Sequence, residues 1–217
     1  MRIFLDTADT SLIEKHFATG LIDGVTTNPT LIMKSGRDPE DVYQELIDIG
    51  VPDISMEVVG GFEEMVKEGR RLSNKFGKQC TIKVPCTSEG LFVCHELKKS
   101  LVKVNVTLIF DVAQAILAAK AGAAYVSPFV GRVDDNSFDG LELIKDIDNV
   151  FSNCNTCETK ILSASIRDVK SVSKSFANGA DIVTMPPTVF EKMYKHILTD
   201  RGLELFDQDW KEVQSHT

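Results

Sequence analysis

Two charged side chains stand in the middle of short apolar runs, where an ionised group is costly to bury. Lys83 lies within residues 81–85, and Glu57 lies within residues 55–59. A buried lysine needs a partner or must be neutral, and desolvation favours the neutral amine. A neutral amine forms a Schiff base with a ketone or an aldehyde. Glu57 would then be the ion-pair partner of Lys83 or a general base.

Polar residues also stand near the ends of the other apolar runs. Asn105 and Thr107 are two residues apart, so they share one face of a strand, and a polyhydroxylated substrate would satisfy them. Arg132 and Arg167 follow two later runs and could hold a phosphate or form surface ion pairs. The further candidates are Asp6, Thr26, Asn28, Ser127, Ser163 and Ser165.

Asp6, at the end of the first run, has two interpretations. It is a candidate general acid or base, or it caps the helix that follows. Thr7, Asp9 and Thr10 compete for the capping position. The sequence leaves both interpretations of Asp6 open.

Eight short apolar runs alternate with longer segments of helical periodicity. The runs are Ile3–Asp6, Gly24–Asn28, Ile54–Val59, Thr81–Pro85, Val104–Ile109, Tyr125–Val130, Lys160–Ser165 and Asp181–Met185. Eight strand–helix units predict a single α/β domain, a (β/α)8 TIM barrel. A doubly wound sheet would need a glycine-rich loop after the first run, and none is present. A closed barrel has no edge strand, which argues against a Lys83 that faces water.

The intervening segments predict helices, with Asp38 as a helix cap. The expected helices are Pro39–Ile49, Gly61–Phe76, Ser88–Ser100, Ala113–Ala121, Gly140–Ser152, Val169–Ala177 and Val189–Leu198. We expect the barrel to span residues 1–198 and a C-terminal helix to span residues 199–217. Leu203, Phe206 and Trp210 form an apolar stripe on that helix, which needs its own barrel or a neighbouring subunit to cover it.

Composition restricts the class of protein. The chain has 217 residues, a net charge of −8 and 43% hydrophobic residues. This acidic balance argues against a nucleic-acid partner, no run is long enough to span a membrane, and the N-terminus lacks a secretory pattern. We therefore expect a cytoplasmic protein. The five cysteines, among them Cys154 and Cys157, predict free thiols rather than a metal or disulfide site.

Several of these segments resemble the transaldolase family, and within it the small subfamily that also contains fructose-6-phosphate aldolase. The resemblance covers nearly the whole chain in the expected order. The matching segments are residues 4–9, 24–30, 82–85 with 88–91, 125–132 and 207–210.

The resemblance implies an enzyme that uses neither a metal nor an organic cofactor. Lys83 would form the Schiff base with a ketose, and Asp6 would take the proton of the C4 hydroxyl as the C3–C4 bond breaks. Glu57 would shuttle protons through a water bridged to Thr107.

The family pattern also implies substrate-binding residues. Asn28, Asn105 and Ser127, with Thr26 nearby, would hold the dihydroxyacetone unit. The substrate phosphate would lie on Arg132, Ser165 and Arg167. The partners are then sugar phosphates, and subunits would form rings of five that pair into decamers.

Three positions bear on the choice between transferase and aldolase. Aldolases of the subfamily carry Gln in place of Glu57 and Tyr in place of Phe129, and they lack Asn105, so this chain follows the transaldolase pattern. Phe129 has no proton to donate to the carbanion, which would wait for an aldehyde. The alternatives are an aldolase that releases dihydroxyacetone and a non-catalytic sugar-phosphate-binding barrel.

Overall fold

Eight parallel strands close into a barrel in which each strand pairs with its neighbours in sequence order. The computed structural model describes residues 1–215 of the chain. The strands are β1 (Arg2–Asp6), β2 (Gly24–Thr26), β3 (Ile54–Glu57), β4 (Cys80–Pro85), β5 (Val104–Ile109), β6 (Tyr125–Pro128), β7 (Lys160–Ser163) and β8 (Ile182–Met185). Each predicted apolar run overlaps one strand, so the predicted (β/α)8 barrel is confirmed.

Helices surround the barrel and connect its strands. They are α1 (Thr10–Phe17), α2 (Pro29–Ser35), α3 (Pro39–Ile49), α4 (Phe62–Phe76), α5 (Ser88–Lys99), α6 (Val112–Ala121), α7 (Val130–Asp135), α8 (Gly140–Ser152), α9 (Val169–Ala177), α10 (Pro187–Lys192) and α11 (Ile197–Ser215). A one-turn 3-10 helix, Gly77–Gln79, precedes β4. The predicted cap of α3 is confirmed, because the Asp38 carboxylate accepts a hydrogen bond from the Glu40 amide.

The sequence prediction was wrong for one helix and missed three short ones. The predicted helix Val189–Leu198 is divided between α10, which starts at Pro187, and α11. The first part of the segment packs into the core, where Val189 is 4% exposed and Phe190 is 2% exposed. Its second part does not, since Tyr194 is 56% exposed and Ile197 is 71% exposed. The missed helices α1, α2 and α7 have six to eight residues each, too few to display helical periodicity.

Large side chains close the amino-terminal end of the barrel. Phe4, Tyr125, Leu162 and Ile182 pack together in the interior. A Cβ atom at Gly24 would lie 2.5 Å from the Phe4 ring. A glycine at this position therefore leaves room for the ring. These side chains fill the barrel interior below the candidate site residues, which lie toward the carboxyl ends of the strands.

The larger core lies between the barrel and the helices. On α4 the predicted inner stripe of Met65, Leu72 and Phe76 is buried in it. In the described part of the chain, no helix is long and apolar enough to cross a membrane.

The C-terminal helix α11 differs from the others because none of its residues is buried. Leu203, Phe206 and Trp210 are 56%, 70% and 63% exposed. The helix begins two residues before the expected boundary at residue 199, and residues 216–217 of the expected segment lie outside the described residues.

Candidate active site

Lys83 lies inside the barrel and is only 5% exposed. Its Nζ atom lies 3.0 Å from Oε2 of Glu57 and donates a hydrogen bond of 3.0 Å to the carbonyl oxygen of Thr27. The strand register places Glu57, Lys83 and Asn105 next to one another on β3, β4 and β5. The fold therefore places Lys83 inside the barrel beside the Glu57 carboxylate, as the sequence predicts.

Asp6 lies on β1 in a network with two threonines. The Thr26 hydroxyl donates to Oδ1 of Asp6 at 2.7 Å, and Thr184 Oγ1 lies 2.6 Å from Thr26 Oγ1. Burial raises the pKa of Asp6 above its ordinary value, while the Thr26 hydrogen bond and the charge of Lys83 act in the opposite direction. A carboxylate with a raised pKa is a stronger base than an exposed one.

The structure excludes the helix-capping interpretation of Asp6. The cap of α1 is Asp9, whose carboxylate accepts a hydrogen bond from the Leu12 amide at 3.1 Å. Asp6 instead faces the barrel interior and is available for chemistry there.

A cavity of about 110 Å³ opens at the carboxyl ends of the strands. Nine of the thirteen candidate residues line it, and three further lining residues were not among the candidates. The lining residues are Asp6, Thr26, Asn28, Lys83, Thr107, Ser127, Phe129, Arg132, Leu162, Ala164, Ser165 and Thr184.

Asn28 has a second role that orients it. Its side-chain oxygen caps α2 by accepting a hydrogen bond from the Leu31 amide at 3.0 Å, and Pro29 stands in the first turn of that helix. Because the oxygen is engaged by the cap, the side-chain NH₂ group of Asn28 remains to donate into the cavity.

Asn105 lies behind the cavity wall and is fully buried. Its side-chain oxygen accepts a hydrogen bond of 2.7 Å from the Ser127 hydroxyl, and its NH₂ group donates to Ser55 at 3.4 Å. Asn105 therefore orients Ser127, which itself lines the cavity.

Thr107 is placed by an irregularity of β5. The register between β5 and β6 shifts between Val106 and Ile109, and Leu108 adopts a left-handed backbone with φ of 61°. Bulges of this kind re-aim neighbouring side chains. Within the described residues, Thr107 Oγ1 and Glu57 Oε2 are buried atoms without a hydrogen-bond partner. The Glu57 carboxylate is compensated by its ion pair with Lys83, at 3.0 Å.

Arg132 and Ser165 meet at one side of the cavity. The Arg132 guanidinium stacks on Phe129, 4.8 Å from the ring centroid. The Gly131 amide donates to the Ser165 carbonyl at 3.1 Å, and a Cβ on Gly131 would lie 2.3 Å from that oxygen. Ser165 itself is left-handed, with φ of 59°. The close approach at Gly131 keeps the cationic and hydroxyl groups together.

Arg167 is not among the residues that line the cavity. Its guanidinium forms a bidentate ion pair with Asp135 at the surface, where the Arg167 side chain is 54% exposed. This contact corresponds to the surface ion pair that the sequence left open. Ser163 also points away from the cavity, since its hydroxyl lies 2.9 Å from that of Ser175 on α9.

Sequence reasoning missed two contributors to the site. Thr184 completes the Asp6 network from β8, and its position at the end of an apolar run was the signal that could have identified it. Thr27 contributes through its backbone carbonyl, and residue type gives no indication of such a role.

The fold and the site together define a class of protein, a (β/α)8-barrel enzyme with a buried lysine–carboxylate pair at the mouth of the barrel. The model of the family described as Transaldolase/Fructose-6-phosphate aldolase matches residues 3–217. The chain belongs to this family.

Curated relatives extend over the same length. A probable transaldolase of Caulobacter vibrioides is 50% identical over 211 residues, which are 97% of this chain and 96% of the relative. A probable transaldolase of Paracoccus denitrificans is 49% identical over 98% of both chains. One from Nitrosopumilus maritimus is 47% identical over 99% of this chain and 97% of the relative.

Thr26→Val tests the hydrogen bond that opposes the raised pKa of Asp6. The variant removes the donor to the Asp6 carboxylate, so the pKa of Asp6 is expected to rise further. Titration of the carboxyl carbon by NMR measures it. Thr26→Ser keeps a hydroxyl and should titrate like the parent. An Asp6 pKa that stays the same or falls in Thr26→Val would contradict this account.

Proposed function

We propose that the chain is a transaldolase that carries a dihydroxyacetone unit on Lys83. The unit comes from a ketose phosphate, such as fructose 6-phosphate or sedoheptulose 7-phosphate. It is passed to an aldose phosphate, such as erythrose 4-phosphate or glyceraldehyde 3-phosphate. The observation that carries the proposal is the buried Lys83 amine, 3.0 Å from a carboxylate at the cavity. The reaction belongs to the pentose phosphate pathway, and we place the protein in the cytoplasm.

The first step is attack of the Lys83 amine on the ketose carbonyl. Water leaves as the Schiff base forms, so protons must move to and from the departing oxygen. Glu57 is the nearest carboxylate, and the Thr107 hydroxyl is an unused donor at the cavity wall. We assign the proton transfers of this step to Glu57, acting through a water held by Thr107.

Cleavage of the C3–C4 bond needs a base at the C4 hydroxyl. Asp6 is suited to this role because burial raises its pKa and Thr26 holds its orientation. The proton moves to Asp6, the C4 carbon becomes the aldehyde of the leaving aldose, and the bonding electrons enter the Schiff base as an enamine. No metal or organic cofactor enters the scheme.

The enamine stays bound through its hydroxyl groups. Asn28 donates its NH₂ group into the cavity, and Ser127 is oriented by Asn105. Thr26 lines the same wall beside Asp6. These groups assign the dihydroxyacetone end of the substrate to the deep part of the cavity.

The phosphate lies at the opposite end, beside Arg132 and Ser165. The substrate is an anion and the protein has a net charge of −8, so this attraction must be local. We include Arg167 in the phosphate site. Its pairing with Asp135 means that it must exchange a carboxylate for the phosphate when substrate binds.

Lys83→Met should abolish covalent trapping by fructose 6-phosphate and borohydride. The parent enzyme should carry a reduced dihydroxyacetone adduct on the Lys83 peptide, measured by mass spectrometry after digestion. Lys99→Met removes an exposed lysine and should leave trapping unchanged. An adduct on another lysine, or none on the parent, would refute the Schiff-base assignment.

Phe129→Tyr should raise the release of free dihydroxyacetone relative to sedoheptulose 7-phosphate formation, because a phenol can protonate the enamine. Phe110→Tyr is the matched control, since its ring packs edge-to-face on Phe129 with centroids 5.9 Å apart. Both products are assayed with and without erythrose 4-phosphate. An unchanged product ratio in Phe129→Tyr would exclude a role for Phe129, and dominant release by the parent would instead make the protein an aldolase.

Arg132→Gln should raise the KM for fructose 6-phosphate by about tenfold or more, the scale expected for a hydrogen bond to a charged group. Activity on unphosphorylated fructose should change little. Lys170→Gln removes an exposed positive charge close to Arg167 in the sequence. This variant controls for nonspecific electrostatic attraction of the phosphate. Equal losses on both sugars would show that Arg132 does not contact the phosphate.

We also propose that subunits assemble into five-membered rings that pair as decamers, with α11 as an arm that packs on a neighbour. The apolar stripe of α11 is exposed, and Glu204, Asp207 and Asp209 give that helix acidic neighbours. The complementary surface is the groove on α4, which contains apolar Phe62 and Val66 beside Lys67, Arg70 and Arg71. In this arrangement residues 1–198 form the catalytic barrel and residues 199–217 form the arm.

Replacing Phe206 and Trp210 by serine should lower the mass measured by light scattering, because the arm loses its apolar contacts. Gln208→Ser lies on the opposite side of α11 and should keep the parent's mass. A parent that is monomeric, or a double variant with the same mass as the parent, would argue against the arm.

A further inference from the structure

Of the five cysteines, Cys154 alone is exposed. The pKa of Cys80 and that of Cys94 are each raised to about 12 by burial, and burial also raises the pKa of Cys86. The pKa of Cys154 is lowered instead. Because the thiolate is the reactive form, Cys154 is the sulfur at which an external reagent is expected to react first.

The Cys154 sulfur lies over a tight turn. The Thr156 hydroxyl is 3.6 Å from Sγ. That hydroxyl and the backbone amides of Thr156 and Cys157 favour the thiolate, as does the positive charge of Lys120. These contacts hold Sγ close to the backbone of residue 157.

Cys154 and Cys157 are the first and last residues of that turn. The Cys157 amide donates to the Cys154 carbonyl at 3.0 Å, the hydrogen bond that closes a four-residue β-turn. A β-turn keeps its end Cα atoms within about 7 Å, and disulfides span about 4.4–6.8 Å between Cα atoms. The backbone is therefore already folded for a bond between the two sulfurs.

The turn joins α8 to β7, so it lies at the amino-terminal end of the barrel, opposite to the mouth that holds Lys83. Cys157 is half-buried and borders a surface cavity of about 510 Å³ with Tyr125 and Lys160. Cys157 is thus partly shielded, and Cys154 is the sulfur that an external reagent meets first.

We propose that Cys154 and Cys157 form a reversible dithiol–disulfide modification site. The oxidant is a small-molecule or protein disulfide. The Cys154 thiolate attacks one sulfur of that disulfide, its S–S bond breaks, and one thiol leaves. The Cys157 thiolate then attacks the Cys154 sulfur and releases the second thiol. The chain loses two electrons and two protons, which the oxidant gains as two thiols.

Oxidised glutathione tests the site in the folded, full-length protein. The tryptic peptide 146–160 contains both residues, while Cys80 and the pair Cys86 and Cys94 lie in other peptides. The expected product is the 146–160 peptide lacking two hydrogen atoms and restored by dithiothreitol. The other three cysteines should remain open to alkylation after unfolding.

Two serine variants separate the steps. Cys157→Ser should stop at a stable glutathione adduct on Cys154, and Cys154→Ser should react at least about tenfold more slowly, as expected for a shielded thiol. Adducts on the parent without ring closure, faster reaction at a buried cysteine, or equal rates in the two variants would overturn the proposal. So would disulfides that link two chains through these residues.

Discussion

The burial of a lysine amine inside an apolar barrel is the constraint on which the rest of the site depends. An uncompensated charge there would cost several kcal/mol. Lys83 is compensated by the Glu57 carboxylate from one neighbouring strand and by the Thr27 carbonyl from the next. Each contact requires the register that β2, β3 and β4 adopt, so a slip of one residue would turn Lys83 or its partner away from the interior. The position of Lys83 therefore depends on the correct register of the closed sheet.

Two residues with an irregular backbone help to place the polar groups that line the cavity. Leu108 and Ser165 are left-handed at the ends of β5 and β7, a conformation that costs non-glycine residues free energy. Their neighbours are cavity groups, Thr107 in one case and the Arg132–Ser165 pair in the other. The strain is therefore located where polar groups converge on the cavity.

The sequence predicted the barrel and its central lysine because strand alternation and strand count are local properties. It could not predict contacts that depend on which loop folds over which. No sequence pattern indicates that Asp135, 32 residues away, pairs with Arg167 at the surface. Thr184 was overlooked because its significance arises only when β8 closes against β1. The short helices α1 and α2 follow from single capping side chains, Asp9 and Asn28, and not from any periodic pattern.

The packing of Phe4, Tyr125, Leu162 and Ile182 at the amino-terminal end of the barrel affects how substrates reach and leave the cavity. A barrel closed at its amino-terminal end leaves the catalytic cavity blind, so molecules enter and depart through one mouth. In the proposed transfer, the aldose cut from the donor must vacate that mouth before the acceptor aldose approaches the bound three-carbon unit. A single mouth would therefore be occupied by the departing aldose and by the arriving aldose in turn.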